Sequence, residues 1–109
     1  MTNIEKQSKQ ADLAKKLHPS RFTEMSGKMA AIVAYILNET WTEPAITDMC
    51  ITSDGYVLAQ HEDDIGMNQI IGSAEDLKRN WAALLTAAGL DDEEKAEAQR
   101  LFDARIKVW

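Results

Sequence analysis

His61 stands next to Glu62, Asp63 and Asp64, and Asp48 lies on the preceding apolar run, the one place where a histidine and several carboxylates are near in sequence. An imidazole beside carboxylates is the raw material of a general base or a cation site. The pattern is thin for either. A transition-metal site recruits more nitrogen or sulfur ligands, and a calcium loop needs alternating acids closed by a glutamate, which Asp64-Ile65-Gly66-Met67-Asn68 lacks. A solvated acidic loop beside an Asp48–His61 cross-strand pair accounts for the same residues.

Cys50 is the single cysteine. A Cys50–His61 nucleophile pair fails on geometry, because the expected hairpin register sets Cys50 opposite Ala59, with His61 one same-face step further, a diagonal of roughly 7–8 Å. A cysteine in mid-strand is usually a small apolar filler. His18, just before Pro19 at a helix end, suits a capping role. Gly66 to Gly72 lacks the lysine and spacing of a phosphate loop. Ser73 and the backbone donors after it suit an anion, but Glu75 and Asp76 already supply that charge. No catalytic, cofactor-binding or metal residue is assigned, no cofactor is expected, and the protein reads as a non-enzyme.

The elements that must position these residues emerge from periodicity. Thr2-Asn3-Ile4-Glu5 is a capping-box pattern, and Ile4, Ala11, Leu13, Ala14 and Leu17 recur at helical spacing, so a first helix extends to about Leu17. Pro19 breaks it. Phe22, Met25, Met29, Ile32, Val33 and Ile36 recur at three- and four-residue intervals and predict a second helix from Phe22 to Leu37, capped by Ser20 or Thr23. Its alanines permit close approach of another helix, from the same chain or from a second copy.

Ile46 to Thr52 and Tyr56 to His61 flank Ser53-Asp54-Gly55, a tight-hairpin signal. With Asp54-Gly55 as a two-residue loop, Ile51 faces Leu58, Met49 faces Gln60 and Asp48 faces His61. Met49, Ile51, Tyr56 and Leu58 then form the face that packs on helices, while Asp48, Cys50, Thr52, Val57, Ala59 and His61 form the smaller, more polar face. The glycine-bracketed stretch to Gly72 reads equally as a third short strand or an ordered loop. Ser73 then caps a helix carrying Leu77, Trp81, Leu84, Leu85 and Ala88 up to Gly89, and Asp91-Asp92-Glu93-Glu94 opens another carrying Ala98, Leu101 and Phe102. The last pair reads as an αα-hairpin of antiparallel neighbours, with Val108-Trp109 either docked or frayed. The fold class is α+β: two N-terminal helices, a central β-hairpin with an optional third strand, and a C-terminal αα-hairpin. A chain of 109 residues suits a single domain, with residues 1–18 a helix that can attach loosely.

Charge narrows the function classes. Eighteen acids against twelve bases give a net charge of −6, which opposes attraction to phosphate backbones, so direct nucleic-acid binding is not expected. From Met29 to Leu77 there are nine acids and no Lys or Arg. Capping and turn chemistry account for several of these acids; an acidic mimic of nucleic acid that inhibits a DNA- or RNA-binding protein is the alternative. One cysteine excludes an intramolecular disulfide, and the longest apolar run, Met29 to Leu37, has nine residues against the roughly twenty that span a bilayer. Together with an N-terminus unlike a signal peptide, this suggests a cytoplasmic protein with no membrane partner.

By elimination the sequence reads as a small soluble acidic interaction or accessory module, whose partner is another protein or a second copy of itself. Contact candidates are Ala30, Ala34 and Tyr35 on the second helix and Trp41 in the connection after it. The hairpin end and the adjoining acidic stretch add His61, Asp63, Asp64 and Met67, and the last residue, Trp109, completes the set.

Overall fold

Leu13, Ala14 and Leu17 keep helical spacing and are all buried, which fixes the flank of α1 (Asn3–Lys16) that meets the rest of the chain. The computed structural model describes residues 3–62 and 69–108. On the polar side of α1, Lys16 Nζ lies 2.6 Å from a carboxylate oxygen of Glu94, and Lys9 pairs with Glu93. His18 ends this segment differently from expectation. Its Nδ1 accepts from the Ser20 N–H at 3.2 Å, so it caps the next element, the 3₁₀ turn Pro19–Arg21, instead of closing the helix before it.

The second helix, α2, is Gly27–Leu37, five residues shorter at its start than the spacing from Phe22 implied. Ser26 rather than Ser20 or Thr23 is the cap, its Oγ accepting from the Met29 N–H at 3.2 Å. Phe22 and Met25 still pack against the core, but from a turn in which the Met25 N–H reaches the Phe22 carbonyl at 3.3 Å. Burial, not helix, set their periodicity. Within α2, Ala30 to Ala34, Ile36 and Leu37 are all buried, and Asn38 ends the helix in the left-handed conformation at φ 59°.

Four strands complete the sheet: β1 (Ile46–Ile51), β2 (Tyr56–His61), β3 (Gln69–Ser73) and the two-residue β4 (Lys107–Val108), arranged β3-β2-β1-β4. The stretch that sequence left undecided thus ends in a strand, antiparallel to β2, and Val108 docks parallel to β1 beside Ile51. The hairpin loop has three residues, not two. The Gly55 N–H donates to the Thr52 carbonyl at 3.0 Å, the Thr52 N–H to the Tyr56 carbonyl at 2.9 Å, and Gly55 takes φ +88°. A turn ending in a left-handed glycine uses the same Asp-Gly signal as a two-residue loop but adds one residue.

That extra residue shifts the register by one. Ile51 lies across from Val57, Cys50 from Leu58, Met49 from Ala59, Asp48 from Gln60 and Ile46 from His61, with an irregularity at Thr47. The β2 faces are therefore exchanged relative to the two-residue reading. Met49, Ile51, Val57 and Ala59 belong to the core, whereas Tyr56 is exposed.

α3 (Ala74–Ala87) and α4 (Asp92–Arg105) have the anticipated signals. Ser73 Oγ accepts from the Asp76 N–H at 3.0 Å, Gly89 takes φ +68°, and Asp91 and Glu94 form a reciprocal capping box. Trp81 of α3 packs on Phe102 of α4 at 5.4 Å between ring centres. Trp81 is 1% exposed and its Nε1–H meets no acceptor among the described residues, a cost of roughly 1–3 kcal/mol that the surrounding packing outweighs. No helix among the described residues is long and apolar enough to cross a membrane.

Candidate functional site

The register decides which reactive groups meet. Because directly paired residues share a face, Cys50 lies with Leu58, and His61 lies with Val57 and Ala59 on the opposite side of the sheet. A Cys50–His61 pair does not form. Asp48 is likewise separated from His61: it pairs with Gln60, and its carboxylate accepts from the Met49 N–H at 3.0 Å and lies 3.7 Å from Lys107 Nζ. The Nδ1 of His61 is sheltered from solvent with no hydrogen-bond partner among the described residues. Glu62 closes the hairpin end, its N–H donating to the Ala45 carbonyl at 2.9 Å and its carboxylate accepting from the Ala45 N–H at 3.3 Å. Asp63, Asp64, Met67 and Trp109 lie outside the described residues. Among those described, no group of three or more His, Cys, Asp or Glu side chains is disposed to hold a metal ion.

The other candidates have structural employment. Ala30 and Ala34 are 8% and 1% exposed, covered by the chain's own elements, so the free alanine face envisaged on the second helix is already occupied. Tyr35 is half-buried and its hydroxyl donates to the Arg105 carbonyl at 3.0 Å, tying α2 to the end of α4. Burial first, and the Asp48 carboxylate second, push its ionisation above the ordinary value. Trp41 is half-buried against the core and tilts against the His18 ring at 4.8 Å. A shallow groove between α2 and the start of α3 is lined by Lys28, Gly72, Ser73, Asp76 and Asn80, but Ser73 is engaged as a cap and Asp76, paired with Arg79, contributes negative charge there. The anion reading gains nothing from it.

What residue-by-residue reading missed is the face of the sheet turned away from the helices. Cys50, Leu58 and Ile70 pair successively across β1, β2 and β3 and form a row on that face, with Lys107 of β4 beside Cys50. Tyr56 lies on the same face, two residues along β2 from Leu58. Ile70 is 64% exposed and Tyr56 48%, whereas Cys50 is buried within the row. Burial, then the Asp48 charge, pushes the Cys50 thiol up, which disfavours the nucleophilic thiolate. The row therefore offers apolar surface rather than reactivity. Its signal was present in the sequence as Gly55, whose left-handed conformation suits a three-residue loop as well as a two-residue one.

Comparison of the chain with family models, with curated proteins and with solved structures finds no match.

Proposed function

We propose that this chain is a non-enzymatic interaction module, an accessory subunit that engages a protein partner through the open face of its sheet. The observation that carries the reading is the contrast across one sheet. Helices cover Met49, Ile51, Val57 and Ala59, while Tyr56 and Ile70 are exposed on the other side with Leu58 between them. Clustered exposed apolar side chains, an aromatic among them, mark contact surfaces more often than scattered ones do. The charged side chains on that face, Asp48 and Lys107, lie 3.7 Å from each other rather than converging in a sheltered cleft.

The test compares the full chain with its Tyr56→Ser/Ile70→Ser variant, in quantitative capture from the native host and in light scattering over a wide concentration range. A stoichiometric protein partner, or a second copy, held by the parent and lost from the variant at unchanged melting temperature supports the reading. Equal retention by both, or a strict monomer without any partner, defeats it.

The run from Met29 to Leu77 without Lys or Arg supports a second reading, an acidic mimic that occupies a DNA- or RNA-binding protein. It ranks lower because a run of acids leaves the exposed Tyr56 and Ile70 without a role. Displacement of a captured partner by duplex DNA, weakening steeply with salt, would favour it.

A further inference from the structure

The open face carries charge as well as apolar surface, and the two together specify an occupant. Among the described residues, β1, β2 and β3 contain no Lys or Arg, and Lys107 at the β4 edge is the one Lys on the sheet. Acids stand at both ends of the strands that carry the apolar row. Asp48 lies beyond Cys50 on the same face and Glu62 comes directly after β2, while at the other end Asp54 is in the hairpin loop and Glu75 opens α3, whose first N–H, on Ala74, donates to the Gly55 carbonyl at 2.8 Å.

Resting on the interaction reading above, we infer that the open face docks a basic amphipathic helix from a different protein. Its apolar stripe lies over Leu58, Ile70 and Tyr56, and its Lys and Arg flanks face the acidic ends of the strands. The dimensions agree: a helix crossing the three strands, about 4.8 Å apart, lays about 10 Å of its axis, close to two turns, on the row, and its diameter of about 10 Å spans about three residues along each strand. A helix laid there completes the second layer that a one-sided sheet lacks. A second copy docking by its own open face brings the same acids and meets like charge, and its base-rich first helix has already buried Leu13, Ala14 and Leu17 in its own core; nucleic acid or an anionic membrane is repelled by the same carboxylates.

The probe is a labelled Leu/Lys amphipathic peptide about five turns long, with a Leu/Glu peptide of identical stripe as its counterpart, titrated by fluorescence anisotropy against the full chain. The Leu/Lys peptide is expected to bind at least ten-fold more tightly, with affinity falling as salt rises. Tyr56→Ser/Ile70→Ser, which keeps every carboxylate, should weaken it at least ten-fold, and Asp48→Asn/Glu62→Gln several-fold, with circular dichroism and melting temperature confirming the fold of each. Equal binding of both peptides, or of neither, overturns the basic helix while leaving the interaction reading to the capture experiment. Undiminished binding to the serine variant shows charge attraction without a docking face and also overturns the inference. Self-association of the parent that the serine pair abolishes assigns the face to a second copy instead.

Discussion

On the helix side of the sheet Met49, Val57 and Ala59 are each 1% exposed or less, whereas one residue from Val57 along the same strand Tyr56 is 48% exposed, and Ile70 on the neighbouring strand 64%. The two faces share a backbone and a hydrogen-bond ladder, so the difference is one of side-chain burial alone. The helix side carries the burial that holds the chain together. The open side leaves Tyr56 and Ile70 in contact with solvent, so much of their apolar area adds nothing to that burial.

The largest break in this comparison comes from hollowing the helix side. Trp81→Ala, which removes the largest fully buried side chain, should cost about 3–5 kcal/mol, and Met49→Ala about 2–5 kcal/mol, measured by urea unfolding. A loss below 1 kcal/mol for both would mean that the core lies elsewhere. The register that separates the faces depends on Gly55, whose φ of +88° penalises any Cβ although nothing stands within 4 Å of one. Gly55→Ala is expected to cost about 1–2 kcal/mol through backbone strain alone. An Ala variant as stable as the parent would argue for a different loop.

A smaller effect appears at alkaline pH. The Cys50 thiol and the Tyr35 hydroxyl are held above their ordinary values of 9.0 and 10.0, chiefly by burial and then by Asp48. Above those values the unfolded chain releases these protons before the folded chain does. It then binds fewer protons, and stability falls as pH rises. The contribution is fully present below pH 9 and is lost as pH passes through the raised folded-state values. Cys50→Ala/Tyr35→Phe should flatten the decline seen in melting temperature against pH, and an unchanged slope would assign it to other groups.

The smallest effect belongs to the open side. Tyr56→Ser/Ile70→Ser should alter unfolding free energy by only about 0.5 kcal/mol at each site, since about half of Tyr56 and most of Ile70 is solvated already. A loss of several kcal/mol would show that these residues belong to the fold and not to a contact surface. This measurement sharpens the contrast most directly, because it separates the loss of a partner from the loss of structure.

Legibility along the chain depends on the range of the interactions. The α3 boundaries could be read from Ser73, the Leu77-Trp81-Leu84-Leu85 stripe and Gly89, since capping and periodicity act within a few residues. The start of α2 differs from the periodic signal because Phe22 and Met25 are periodic for packing reasons while Ser26 makes the cap. The hairpin is legible and its register is not: Asp54-Gly55 satisfies two loop types, and the difference lies in whether Val57 and Ala59 or Tyr56 and Leu58 turn toward the helices. Pairing of Cys50 with Lys107 joins residues far apart in the chain and leaves no local trace.

The sequence by itself determined the α+β element types, the turn at Asp54-Gly55, the caps of α3 and α4 and the acid-only stretch from Met29 to Leu77, all of which are local chemistry. Only the tertiary structure decided that β2 presents Val57 and Ala59 inward, that the alanines of α2 are consumed within the chain, and that Cys50, Leu58 and Ile70 line up across three strands. Strand side chains alternate with a period of two, so one residue in a loop exchanges inside for outside, and only the packed whole selects between the two.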